Sequence, residues 1–201
     1  MDALYHQLRE RLERSPGKPF PFPLPGIVLR ESAVLVPLFV RGGEPHVLVT
    51  RRPETLRTHA GQISFPGGSR DPEDDTPLHT ALRETHEELG VPPERVRVLG
   101  MLDEVPTLTG YRIVPFVGAI PPDARYQPSA DEIAEVIEVP LWHLMDPKRR
   151  RIEKRTALGR EFDVYFYDYG EHVIWGATAH ILTNLLQLAG DLLGAQKTQS
   201  P

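Results

Sequence analysis

The chain has 201 residues, 40% hydrophobic and 25% charged, which suits one globular domain with little left for a second. It contains no cysteine, so disulfides, thiol catalysis and thiolate metal sites are excluded, and any metal must be held by oxygen or imidazole. With 23 basic and 28 acidic residues the net charge is −5, which argues against general nucleic-acid binding; no apolar run is long enough for a membrane span, and the charged N-terminus does not read as a secretory signal, so a cytoplasmic setting is expected.

In chain order, Ala3, Leu4, Leu8 and Leu12 recur at helical spacing among charged residues and predict a short amphipathic helix. SPGKPFPFPLPG follows, with prolines at 16, 19, 21, 23 and 25. Proline fixes φ and donates no N–H, so this is an extended, semi-rigid arm. It is read as packed along its own domain through Phe20, Phe22 and Leu24 rather than docked on an SH3-type partner. SAVLVPLFV and HVLVTRR are β-branched runs joined by RGGEP, and their continuous apolar character predicts strands buried on both faces. A long irregular loop leads to ISFPGG, a tight glycine turn, and then to the acidic loop SRDPEDD.

A helix is predicted from Thr76 to Leu89, stopped by Gly90 with Pro92 and Pro93 behind it. RVRVLGMLDEV, RIVPFVGAI and AEVIEVP read as strands, LWHLMDP as one helical turn, and RIEKRT with FDVYFYDY as a hairpin-like pair. A closing helix runs from Trp175 to Leu193, with Ile181, Leu185, Leu188 and Leu192 on one face. Residues 1–30 are thus expected to form the helix and arm, 31–195 the domain and 196–201 a loose tail.

The 76–89 helix carries the chemistry. Leu78, Ala81, Leu82 and Leu89 form an apolar stripe, while Glu84, Glu87 and Glu88 stand at i, i+3 and i+4 on one face. Like charges so placed oppose the helix, yet clustered carboxylates are the ligand set that Mg²⁺ and Mn²⁺ prefer. Arg83 is placed to orient one of them by a charge-assisted hydrogen bond. Carbonyls of the glycine turn, Gly68 among them, are available to complete an oxygen shell.

These residues carry a family resemblance. Gly68 to Val91 resembles the Nudix box: Arg83, Glu84, Glu87, Glu88, Gly90 and Val91 match its second half without a gap. The first half departs from the pattern, with one extra residue between Gly68 and the acid, read as Asp75 in place of glutamate, and with Thr85 in place of an aliphatic residue. Upstream, LVTRRPETLRTHAGQISFPGG (Leu48 to Gly68) looks like the signature of the bacterial coenzyme A pyrophosphatase branch of the Nudix hydrolases.

The resemblance implies a Nudix-type α/β/α sandwich with a mixed β-sheet and metal-dependent hydrolysis of coenzyme A, or a derivative, to 3′,5′-ADP and 4′-phosphopantetheine. It implies Glu84 and Glu88 as ligands of Mg²⁺ or Mn²⁺, with Glu87 a further ligand or a base, and Asp131, Glu132 and Glu135 as other acids available for that role. Arg51, Arg52, Arg57 and His59 lie in the upstream signature and are expected to hold phosphate or pantetheine. ADP-ribose, NADH or a dinucleoside polyphosphate is the alternative substrate, and a non-catalytic nucleotide-binding module the alternative of another class.

The expected partner is thus a small molecule, with neither nucleic acid nor membrane, and the oligomeric state is left open. KRRRIEKR (Lys148 to Arg155) is read as a solvated hairpin edge. His79 and His86 are read as surface residues. Trp142, Trp175 and the aromatics of FDVYFYDY are read as core and sheet packing.

Overall fold

The computed structural model describes residues 2–20, 24–55 and 60–194. Helix α1 (Asp2–Arg14) buries Leu4, Leu8 and Leu12 on one side, as the spacing predicts. The arm behind it is fixed through its backbone. Gly17 N–H donates to the Met101 carbonyl at 3.2 Å, Lys18 N–H to Asp103 Oδ1 at 2.8 Å and Phe20 N–H to Glu104 Oε2 at 2.9 Å. A Cβ on Gly17 would overlap the Leu102 carbonyl, so only glycine permits this approach. Phe22 lies outside the described residues, and Leu24 is half-buried.

Strands β1 (Arg30–Arg41) and β2 (Glu44–Arg51) form an antiparallel hairpin. Its turn places Gly42 and Gly43 at φ 59° and 83°, the left-handed pair that a two-residue hairpin turn requires. After the loop come β3 (Ile63–Ser64) and β4 (Gly67–Ser69). The glycines read as a turn thus belong to a short strand, with Gly68 opposite Ala33 of β1. Helix α2 (Pro77–Leu89) follows, then β5 (Arg97–Met101), β6 (Val105–Pro106), β7 (Tyr111–Ala119) and β8 (Glu135–Pro140). The 95–105 run, read as one strand, is split because residues 102–104 turn aside to receive the arm.

The eight strands make one sheet in the order β3–β2–β1–β7–β5, with β4 added to β1, β6 to β7 and β8 to β2. It is mixed, since β1 runs parallel to β7 and antiparallel to β2 and β4. A second sheet follows the helical turn α3 (Leu141–Leu144) and joins β9 (Arg150–Ala157), β10 (Arg160–Tyr169) and β11 (His172–Trp175). The chain then enters α4 (Gly176–Gly194). Trp175, read as the first helical residue, is the last residue of β11.

Alternation along β1 separates two cores. Leu35 and Phe39 pack with Leu48 and with Leu89 of α2, and Ala33 packs with Ala81. Val36 and Leu38 point the other way, into a cluster holding Leu8 and Leu12 of α1 and Ile181 and Leu185 of α4. Helices therefore cover both faces of the mixed sheet, the α/β/α arrangement expected. Among the described residues no helix is long and apolar enough to cross a membrane.

Candidate active site

Helix α2 is set firmly at both ends. Thr76 caps the start by accepting the His79 N–H at 3.2 Å, Pro77 occupies the first turn, and Gly90 ends the helix at φ 69°. With Ala81, Thr85 and Leu89 fully buried, the helix turns Glu84 and Glu88 along the flank that meets β4. Thr85, at an aliphatic position of the pattern, satisfies its hydroxyl by donating to the Ala81 carbonyl at 2.6 Å.

Glu88 is 3% exposed and accepts one hydrogen bond, from Gly67 N–H at 3.2 Å. Burial pushes its carboxyl up to about 8, the Gly67 N–H opposes this, and the charges of Glu84 and Glu132 add to it. Glu84 is also raised, by burial first and then by Glu87 and Glu132, with Arg83 holding it back. A Cβ on Gly68 would overlap the Glu84 carboxylate; the glycine is what lets the strand and the acid share this space.

Arg83 organises the other side. Its Nε and Nη2 grip Asp74 at 3.1 and 2.9 Å, and its Nη1 reaches Glu84 at 3.0 Å and Glu87 at 2.9 Å. Asp74 is buried and also accepts from Thr80 Oγ1 at 2.9 Å and Asp71 N–H at 3.0 Å. These donors, Arg83 foremost, hold its carboxyl well below the usual carboxylate range. The acid that answers Arg83 is therefore Asp74. Asp75, read from the sequence as the acid of the pattern's first half, is exposed, and its carbonyl accepts from Arg70.

Among the described residues no three carboxylate or imidazole groups already stand together as a metal cluster, because Arg83 engages Glu84 and Glu87 while Glu88 turns to Gly67. The donors nonetheless suit a hard divalent cation. They are all oxygen, and burial raises Glu84 and Glu88 against partial relief from the Gly67 N–H, Arg83 and the charge of Arg52, so a bound cation would favour the ionised form of both.

The residues expected to hold substrate divide. Arg51 is committed to Glu135 at 3.0 Å and Glu54 at 3.7 Å, and Glu135 also meets His172 at 3.2 Å. Arg52 lines a cavity of about 650 Å³ that also reaches Gly67 and Gly68. Its Nε is buried without a hydrogen-bond partner among the described residues. Arg57 and His59 lie outside the described residues. Of the downstream acids, Glu132 is the one whose charge bears on Glu84 and Glu88; its loop is tied to α2 by Ser129 N–H donating to the Glu88 carbonyl at 3.0 Å.

Of the 148–155 run, Lys148 and Arg149 lie in a short helical turn, and residues 150–155 belong to β9, an outer strand of the second sheet. Lys154 pairs with Asp163 at 2.9 Å and Arg155 with Glu153 at 2.8 Å, and of the run Arg155 alone lines the cavity. His79 and His86 are exposed, as expected. Tyr167 and Phe166 are core packing, whereas Phe162 and Trp175 are half-exposed on the cavity wall. Sequence periodicity carries no signal for that difference: Phe162 and buried Phe166 stand four residues apart on β10, and Trp175 ends the edge strand β11.

An acidic helix set against a glycine strand, in a mixed sheet covered by helices, places the protein in a known class: the NUDIX domain family matches residues 29–159. The chain belongs to the Nudix hydrolase family. It is 42% identical over 166 residues to a protein of Photorhabdus laumondii named Uncharacterized Nudix hydrolase NudL, covering 79% of this chain and 84% of that one. The protein of the same name from Escherichia coli is 41% identical over 164 residues, covering 78% and 81%. Among solved structures, a MutT/nudix family protein from Enterococcus faecalis superposes with a TM-score of 0.58 at 16% identity, over 96% of this chain and 76% of that one.

Proposed function

We propose that this Nudix hydrolase cleaves the diphosphate of coenzyme A or its derivatives, giving 3′,5′-ADP and 4′-phosphopantetheine, in a divalent-metal-dependent reaction. The observation that carries the reading is Arg52. It occupies a fixed place in the Leu48–Gly68 signature, lines a cavity shared with Gly67 and Gly68, and has a buried Nε with no hydrogen-bond partner among the described residues. In a net-negative protein such a cation favours an anionic ligand.

Mg²⁺ or Mn²⁺, held by Glu84 and Glu88 with Glu87 and the Gly68 carbonyl as further donors, would supply charge neutralisation on the diphosphate and a more acidic water. The chain's own residues do the positioning. Asp74 locks Arg83 in place, and Arg83 holds the carboxylates of Glu84 and Glu87 toward each other. The missing side chains at Gly67 and Gly68 let this strand lie close against β1 and leave room for the Glu84 carboxylate. Glu132 is the acid we assign to accept the proton of the attacking water, since Glu135 is already held by Arg51 and His172.

The test is hydrolysis in ¹⁸O-water with coenzyme A, ADP-ribose and NADH under Mg²⁺ and Mn²⁺. The expected result is 3′,5′-ADP and 4′-phosphopantetheine, with label in one of the two products. Arg52→Ala is expected to raise KM for coenzyme A far more than for ADP-ribose. Equal effects on both, or preferred turnover of ADP-ribose or NADH, would overturn the coenzyme A assignment.

A further inference from the structure

We propose that Trp175, assisted by Phe162, is the seat for the planar purine base of the substrate, on the wall of the cavity that Arg52 and Gly68 also line. The proposal rests on reading that cavity as the substrate site. The second sheet runs β11–β10–β9, so β11 is an edge strand. Trp175 is in register with Phe166 of β10, and Phe166 with Arg151 of β9. The rings of Trp175 and Phe166 lie 6.2 Å apart at 10°, and the Arg151 guanidinium sits 4.1 Å over Phe166. Three planar groups thus form a ladder across the sheet.

Phe166, in the middle of the ladder, is 7% exposed. Trp175 ends the ladder and stays 45% exposed, and Phe162 stays 39% exposed; both line the cavity that contains Arg52 and Gly68. A large ring left half in water gains little for folding. On a cavity wall, with one side supported by a parallel ring, it offers a surface on which another flat ring stacks.

His180 stands on the same wall. Its ring nitrogens have no hydrogen-bond partner among the described residues, and burial keeps its pKa below the usual value, so a neutral imidazole is on hand with one donor and one acceptor for the edge of a base. The pantetheine arm has no aromatic ring to stack on such a wall.

The chain has two tryptophans, and Trp142 is tied to Glu44 on β2, so a Trp142→Phe variant leaves Trp175 as the one emitter. Adenosine and AMP are expected to quench its fluorescence without any divalent ion, and 4′-phosphopantetheine is not. The quench is expected to persist in Glu88→Gln, where turnover is lost. Trp175→Leu, with its fold checked by circular dichroism, is expected to raise KM for coenzyme A by roughly tenfold or more with kcat nearly unchanged, and Trp175→Phe to recover most of that loss. Emission that ignores adenosine and AMP, or that responds to 4′-phosphopantetheine alone, would overturn the base seat even if coenzyme A is hydrolysed. Quenching by adenosine in a protein that leaves coenzyme A intact would instead support the seat and remove the coenzyme A assignment.

Discussion

Replacing Asp74 by asparagine tests the electrostatic logic of the site. The carboxylate is buried and takes four donors: two nitrogens of Arg83, the Thr80 hydroxyl and the Asp71 N–H. Removing one partner of a buried charge pair costs about 3–5 kcal/mol. Asparagine keeps one acceptor oxygen, and the Arg83 side chain is 21% exposed and retains Glu84 and Glu87, so a loss of about 2–3 kcal/mol is expected. The pH dependence has a definite sign. The folded-state pKa of Asp74 is depressed, so its contribution is complete above the unfolded pKa near 4 and declines as pH falls toward the folded value. By about pH 3 roughly 1 kcal/mol of it should be gone. Urea unfolding of both proteins at neutral pH and near pH 3 measures this, and the gap between them should narrow by about that amount. Turnover should fall roughly 10–100-fold, as for other residues that orient metal-ligating groups. A variant as stable as the parent at neutral pH, or a gap that does not narrow, refutes the reasoning.

Gly68→Ala places a methyl group where the Glu84 carboxylate lies; the expected result is a folded protein with turnover down by about 100-fold or more, checked by circular dichroism alongside product assay. Glu88→Gln removes a buried carboxyl whose ionisation burial disfavours but keeps an acceptor for the Gly67 N–H. Its Tm should equal or exceed that of the parent while metal-dependent turnover disappears, and full activity would remove this residue from the site. Leu8→Ala, at a position with no exposure in the core shared by α1 and α4, should cost about 3 kcal/mol in urea unfolding, whereas a surface-like loss below about 0.5 kcal/mol would mean that the N-terminal helix contributes little to the domain.

Much of the fold is legible in the sequence because its central elements are long and strongly patterned. The two β-branched runs around Gly42–Gly43 give a hairpin from local chemistry alone. Thr76, Pro77 and Gly90 mark both ends of α2 by caps rather than by hydrophobicity. The short elements are not legible in this way. β4 is three residues long and exists because Ser32, Ala33 and Val34 of β1 provide a pairing edge. β11 is four residues long and ends on the tryptophan that also opens the path into α4. A strand of that length is specified by its neighbours, so periodicity cannot distinguish it from the helix that follows.

The site shows the same division between local and non-local information. Glu84, Glu87 and Glu88 are legible from helical spacing, and so is Arg83 beside them. Reading the acid of the pattern as Asp75, one residue beyond the one that pairs with Arg83, has a reason that can be stated. If the irregularity of the acidic loop is put before the acid, Asp75 falls next to a seven-residue interval ending at Arg83. With five residues left between Gly68 and the acid, the acid is Asp74, and the extra residue then falls between the acid and the helix. The structure takes the second course. The Arg70 side chain ties the Asp74 and Asp75 carbonyls together, and Thr76 starts the helix immediately afterwards. The additional residue is thus absorbed in a turn held by Arg70, while the distance between the glycine strand and the buried acid is left unchanged. That distance is the one the chemistry depends on, since Gly68 bounds Glu84 and Asp74 sets Arg83 against the same carboxylate.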